Sequence, residues 1–319
     1  MSFFKLNLLN GPFYEPGSTK SPPESSIVGN YQTYITISNT NCSVVLTGAN
    51  IKDGSKKALK FVKRKKETFQ RIKNEIELLL IAQNPRILKI DDFFSYNEYV
   101  CIVTPYTQYG SVYDFVTSNY PNGIPEEIAC AMMKQMIESI QFLHGIGIVH
   151  RDIKPGNFLI YGPNQEHPRI VLCDFGFART YEKDIKMDEY IGTLLFSAPE
   201  VVAKIPYTDS IDIWSLGITL FFMLSGTYPF PSSAISPKTC KLRIVKGKLN
   251  YDLLHSKNIS VNAIDLIQRM CNIVPFRRIP LSEALLHPWI ATNHKQNDEE
   301  FNMGNSLFAK DEYSFNIGT

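Results

Sequence analysis

The stretch His150-Arg151-Asp152-Ile153-Lys154-Pro155-Gly156-Asn157 decides how this chain is read. It places a carboxylate directly after a His-Arg pair, an ammonium group two residues further on, and an amide three residues beyond that. Asp174-Phe175-Gly176 follows, and then Ala198-Pro199-Glu200. A His-Arg-Asp triplet alone arises often by chance, whereas the three elements in this order and spacing do not.

Toward the N-terminus, residues 31–62 carry the runs Thr33-Tyr34-Ile35-Thr36-Ile37, Val44-Val45-Leu46 and Ala58-Leu59-Lys60-Phe61-Val62, separated by Asn, Gly and Asp turns. Their β-branched and aromatic residues predict an antiparallel sheet. Across 67–81, Phe69, Ile72, Ile76, Leu79 and Leu80 recur at helical spacing with charges between them, so one helix is expected beside that sheet. A strand-like run over 100–103 leads into Thr104-Pro105-Tyr106-Thr107-Gln108, after which long helical patterns take over. Pro125, Glu126 and Glu127 open one of these, because Pro suits the first turn and acids suit the helix dipole. Others run through 210–225 and 261–270. Residues 1–28 hold Pro12, Pro16, Pro22 and Pro23 without any period and predict a poorly ordered arm; 291–319 reads as a polar tail. The expectation is an α+β fold of two lobes. A small antiparallel-sheet lobe with one main helix (29–103) leads through a connecting segment (104–108) to a larger, mainly helical lobe (109–290).

A chain of 319 residues, 44% of them apolar, can bury a large core. Its 33 Lys and Arg against 31 Asp and Glu leave +2, which excludes a global basic field for gathering nucleic acid or anionic lipid. Cys42, Cys101, Cys130, Cys173, Cys240 and Cys271 form no C-x-x-C pair and suit packed, reduced thiols, which favours the cytoplasm, or the nucleus. No apolar run reaches the roughly 18 residues of a membrane span, and residues 1–9 do not read as a signal peptide.

Taken together, these motifs resemble the protein kinase family, serine/threonine type, over about residues 31–289. The resemblance implies a bilobal kinase fold that uses ATP and Mg²⁺ to phosphorylate Ser or Thr of protein substrates. An upstream kinase would be a further partner, and the oligomeric state stays open. It assigns Asp152 to the substrate hydroxyl, Lys154 to charge on the moving phosphoryl group, and Asn157 and Asp174 to magnesium. Thr193 would bridge Asp152 and Lys154. Lys60 would bind the α- and β-phosphates and pair with Glu75, with Glu77 the surface alternative. Thr104 takes the gatekeeper place; the Pro105 carbonyl and the Thr107 N–H would read adenine, between Val45, Ala58 and Leu159. Leu79, Ile90, His150 and Phe175 would stack as an apolar spine. Glu200 would pair with Arg278, and Asp212 would accept backbone bonds from the catalytic loop. The segment 207–230 most resembles the calmodulin-dependent and AMP-activated kinase group.

Three departures from the family stand out. Counting back from Lys60, the phosphate-covering loop has Ser38, Thr40 and Ser43 where the family has glycines. Side chains there are expected to cost affinity, up to roughly 1–2 kcal/mol for each residue forced left-handed, unless the hydroxyls serve as donors themselves. This motivates an alternative reading as a pseudokinase scaffold with weak or no ATP turnover. Glu189 stands where the family often has a phosphorylatable residue, so it is expected to substitute in part for phosphate, with a solvated acidic pair beside Asp188 as the alternative. Thr180, Tyr181 and Tyr190 are candidate phosphosites. Finally, Ser111, Gly156 and Phe222 replace acids that basophilic relatives use, so only weak selection for Arg upstream of the phosphoacceptor is expected.

Overall fold

A computed structural model describes residues 22–162, 168–182, 186–230 and 236–294, together with Leu6, Leu9 and 11–13. The first lobe comprises β1 (Ile27–Val28), β2 (Tyr31–Asn39), β3 (Ser43–Asn50), β4 (Lys56–Lys63), α1 (Phe69–Ile81), β5 (Asp92–Tyr96) and β6 (Tyr99–Pro105). The second begins with α2 (Val112–Asn119), α3 (Glu126–Gly145), β7 (Ile148–Val149), β8 (Phe158–Tyr161), β9 (Arg169–Leu172) and β10 (Arg179–Thr180). It continues through α4 (Pro199–Val202), α5 (Ser210–Ser225), α6 (Pro237–Val245), α7 (Tyr251–Ser256), α8 (Val261–Met270), α9 (Leu281–Leu285) and α10 (Pro288–His294).

The strands of the first lobe form one antiparallel sheet in the order β1-β2-β3-β4-β6-β5. The two-residue period of a strand divides β4 cleanly. Leu59 and Phe61 point into a core with Val44, Leu46, Cys101 and Val103, while Ala58 and Lys60 face the opposite side, toward the second lobe. On α1 the buried positions Ile72, Glu75, Ile76 and Leu79 share one stripe, so the same packing that seats the helix turns a carboxylate inward.

In the second lobe α5 is buried on nearly all sides and packs against α3, α7 and α8. Gly217 permits the approach of α8: a Cβ there would stand 2.5 Å from Cys271 Sγ and 2.9 Å from Met270 Cβ. Glu200 and Arg278 form a buried two-pronged pair at 2.6 and 2.7 Å, and the guanidinium also lies over the Trp214 ring. Such a pair fixes geometry more than it adds stability. Among the described residues no helix is long and apolar enough to cross a membrane, and all six cysteines are free.

The termini differ from expectation. Leu6 and Leu9 are buried in the same core as Ile72 and Ile76 of α1, and Phe13 meets Phe69 edge-on at 5.9 Å. Arg64, fully buried, donates to the Pro12 carbonyl at 3.1 Å and to Ser95 Oγ at 2.6 Å. The described part of the arm is therefore packed, because a few apolar side chains without a period suffice when a buried guanidinium holds the backbone between them. Thr33 bonds to the Pro23 carbonyl at 2.7 Å, and the sheet begins at Ile27 rather than near Tyr31. At the other end α10 continues through residues 291–294; the remainder of the proposed tail, 295–319, lies outside the described residues.

Candidate active site

Between the lobes lies a cleft of about 660 Å³. Lys60 enters it from β4, Glu75 from α1, and Asp174 from the turn after β9. Lys60 Nζ is 2.9 Å from Glu75 Oε1 and 3.0 Å from Asp174 Oδ1. Burial alone would favour a neutral lysine, but the two carboxylates reverse this and raise its pKa. Lys60 in turn holds the Asp174 carboxyl down to about 2, against the opposing effect of burial. Lys60 and Asp174 are thus both charged across the neutral range. Glu77 makes no contact with this cluster among the bonds described, so the inward carboxylate of α1 is Glu75.

The segment between β7 and β8 brings its side chains together by a strained turn at Arg151, whose φ is 66°; in the turn after β9, Asp174 has φ of 61°. Such conformations cost non-glycine residues on the order of 1 kcal/mol. Fully buried Asp212 compensates: its carboxylate accepts the N–H groups of His150 and Arg151, each at 2.9 Å, and contacts His144 Nε2 at 2.9 Å. Burial opposes the charged form of Asp212, but these donors keep its pKa below the ordinary value. The His150 ring meets Phe175 edge-on at 5.1 Å, and Leu79, Ile90 and Phe175 share one buried core.

Asp152 Oδ1 accepts the N–H of Thr193 at 3.0 Å and its hydroxyl at 2.8 Å, while Oδ2 accepts Lys154 Nζ at 2.6 Å and Asn157 Nδ2 at 3.2 Å. Lys154 Nζ also donates to Thr193 Oγ1 at 2.9 Å. The turn at Gly192 makes this possible: with φ of 88° it runs so close to Arg151 that a Cβ would stand 2.7 Å from that residue's carbonyl oxygen. Asn157 Nδ2 is occupied by the Asp152 carbonyl at 2.8 Å as well, which leaves the amide oxygen as the acceptor Asn157 offers to the cleft. Asn157 and ionised Asp174 both line the cleft and supply hard oxygen ligands. Two such ligands suit Mg²⁺, which keeps waters and substrate phosphates in its shell.

Val45, Ala58, Thr104, Pro105, Thr107 and Leu159 line the same cleft, as do Ser38, Thr40 and Ser43. None of Ser38, Thr40 or Ser43 has a positive φ; β2 and β3 pair up to Asn39 and Val44, with register shifts between Thr33 and Thr36 and between Thr36 and Ser38. Sequence reasoning missed Tyr161, whose hydroxyl approaches the Pro105 carbonyl at 3.5 Å, and Asp114, which lines the cleft while capping α2 through Ser111. Burial pushes the Tyr161 phenol up to about 12, so it remains a donor. Missed also were Arg71, which donates to the Gly176 carbonyl and stacks on Phe177, and Asn74, which donates to the Ala178 carbonyl at 3.2 Å. These polar residues on α1 tie the helix to the segment after Asp174; nothing in their spacing sets them apart from a solvated helix face.

Glu189 pairs with Arg151, and Arg179 stands 3.6 Å from the same carboxylate oxygen. The hydrogen bond from Arg151 holds the Glu189 carboxyl below the usual range. Of the three candidate phosphosites, Tyr181 donates to Asp209 at 2.5 Å, whereas Thr180 and Tyr190 are exposed.

Comparison with known proteins agrees with this architecture. The protein kinase domain family matches residues 31–290. The serine/threonine-protein kinase cds1 of Schizosaccharomyces pombe is 34% identical over 280 residues, covering 82% of this chain and 58% of that protein. Calcium-dependent protein kinase 4 of Plasmodium berghei is 35% identical over 231 residues, 72% and 43% of the respective lengths. A calcium/calmodulin-dependent protein kinase type 1 of Macrobrachium nipponense is 30% identical over 222 residues, 70% and 63%. That relative accords with the subgroup resemblance read from 207–230. The chain spans about half the length of the curated relatives it matches. With a kinase-domain match across most of its length and the bilobal fold around the cleft, the chain belongs to the protein kinase family.

Proposed function

We propose that this chain is an active serine/threonine kinase that transfers the γ-phosphate of ATP to Ser or Thr hydroxyls of protein substrates. The observation that carries the reading is the assembled cluster: Lys60 bridges Glu75 and Asp174 in the cleft, and Asn157, which lines the same cleft, bonds to Asp152, whose carboxylate also binds Lys154 and Thr193. A chain without chemistry has little physical need for this arrangement of opposed charges. Asp152 orients the substrate hydroxyl and takes its proton as the new O–P bond forms and the bond to the β-phosphate oxygen breaks, releasing ADP. The Asp152 carboxylate already accepts four bonds, so the entering hydroxyl displaces one. Lys154, shared between Asp152 and Thr193, is the cation free to follow charge onto the phosphoryl group. Asn157 and Asp174 would hold Mg²⁺, which would supply neutralising charge to the phosphates. The Pro105 carbonyl needs no N–H to accept from the adenine amine, and Thr107 supplies the donor.

Glu189 supports activity without phosphorylation, because it already occupies the basic pocket of Arg151 and Arg179. The six free thiols support a reducing compartment, the cytoplasm or the nucleus. A scaffold with weak ATP turnover is the second reading, favoured by one observation: the hydroxyl of Thr40 is occupied within its own loop. A thermal shift at millimolar Mg-ATP, followed by peptide phosphorylation, separates the two. Nucleotide binding without transfer, or no binding, favours the scaffold.

A further inference from the structure

The tip of the β2–β3 hairpin is closed by one side chain. Thr40 Oγ1 accepts the N–H of Ser43 at 3.0 Å and that of Cys42 at 3.3 Å, and it donates to the Ser43 carbonyl at 3.1 Å. Ser43 Oγ lies 3.2 Å from the same oxygen. A hydroxyl has one proton and two lone pairs, so this one is fully used. The Ser43 carbonyl also accepts the N–H of Thr40 at 2.8 Å, which fixes the turn from the backbone side. Thr40 and Ser43 face the cleft that holds Lys60 and Asp174. Backbone N–H groups at such a turn are what a protein offers an anion. Here two of them are already satisfied.

We propose that Thr40 is a negative determinant of nucleotide affinity: its hydroxyl occupies the Cys42 and Ser43 N–H groups, so a nucleotide's phosphates compete with it for these donors. The proposal rests on the reading of the cleft as an ATP site and deepens it. Hydrogen bonds to a charged phosphate are stronger than neutral ones, so the exchange is favourable on balance. It is nevertheless discounted by the two neutral bonds that must open first. The loop weakens ATP binding through a saturated side chain. The discount falls on phosphates alone and leaves adenine and ribose untouched.

The test is calorimetric titration of the full chain with ATP, ADP and adenosine, comparing wild type with Thr40→Val and Thr40→Ser. Valine keeps the branched shape and removes the hydroxyl; serine keeps the hydroxyl. Thr40→Val is expected to bind ATP and ADP about 3- to 10-fold more tightly, the equivalent of freeing one or two neutral hydrogen bonds. Adenosine affinity should stay unchanged, which also shows that the cleft is folded, and Thr40→Ser should match wild type. A valine variant that binds ATP no more tightly than wild type, or gains equally for adenosine, overturns the proposal and leaves the kinase reading standing. Failure of wild type and both variants to bind ATP removes the nucleotide-site reading beneath it.

Discussion

Replacing Glu189 by Gln isolates the charge that holds the segment between Asp174 and Ala198 against the turn at Arg151. Glutamine keeps the size and the acceptor oxygen and removes the negative charge opposite Arg151 and Arg179. The Arg151 side chain is buried, whereas that of Glu189 is about half exposed, at 49%. Two unit charges at about 4 Å interact by about 4 kcal/mol at an effective dielectric constant of 20, but exposed pairs retain only a fraction of this. For a pair with one buried and one half-exposed member, a net value of about 1–2 kcal/mol follows. If the ordered segment is the competent state, that energy corresponds to a loss of about 5- to 30-fold in kcat/KM. The assay is peptide phosphorylation by phosphatase-treated protein, with wild type and Glu189→Gln prepared identically and melting temperatures compared. Wild type should be active without phosphate, and the variant should lose activity with little change in melting temperature. Dephosphorylated wild type that is silent, or a variant as active as wild type, refutes the role assigned to Glu189.

Other outcomes follow from the same contacts. The Asp174 carboxyl titrates lower in the folded chain than its unfolded value of about 3.9, so its pairing with Lys60 contributes stability above about pH 5 that is lost as pH falls toward 2. Urea denaturation should therefore show a constant gap between wild type and Asp174→Asn above pH 5 that narrows on acidification; a gap independent of pH contradicts this. Arg64→Ala should cost about 2–3 kcal/mol in urea unfolding and speed proteolysis within the arm, because it strands the Pro12 carbonyl and Ser95 and releases the Phe13 contact with Phe69. An arm equally resistant in both proteins shows that Arg64 does not hold it. An oriented peptide library should show only weak upstream Arg preference, given Ser111, Gly156 and Phe222; strong selection would mean that other acids serve.

How much was legible in the sequence depended on whether a position is constrained locally or by distant partners. The spans of α5 and α8 followed from apolar periodicity, and α3 from that together with its Pro125-Glu126-Glu127 opening. The role of Asp212 came from the family resemblance, and its donors, the N–H groups of His150 and Arg151, explain why an acid stands at the start of a mostly apolar helix. Leu6, Leu9 and Phe13 were not, since three apolar residues among prolines carry no period and acquire meaning only against Ile72, Phe69 and Arg64. The Ser38–Ser43 loop is legible only in part. The missing glycines are visible in the sequence, but the bonding of the Thr40 hydroxyl to the N–H groups beside it is not, because it depends on the turn the backbone takes. Tyr161 and Arg71 act through contacts with residues 56 and 105 positions away, which no local pattern encodes.

The central claim is that the cluster around Asp152 transfers phosphate. Its most direct test is incorporation of labelled γ-phosphate from Mg-ATP into a Ser/Thr peptide library, with Asp152→Asn as the paired control. Asparagine preserves the shape that Lys154, Asn157 and Thr193 hold and removes the proton acceptor. Wild type should label Ser and Thr peptides, and the variant should fall by at least about 100-fold. Equal labelling by the two proteins, or none by wild type under saturating Mg-ATP, would contradict the account.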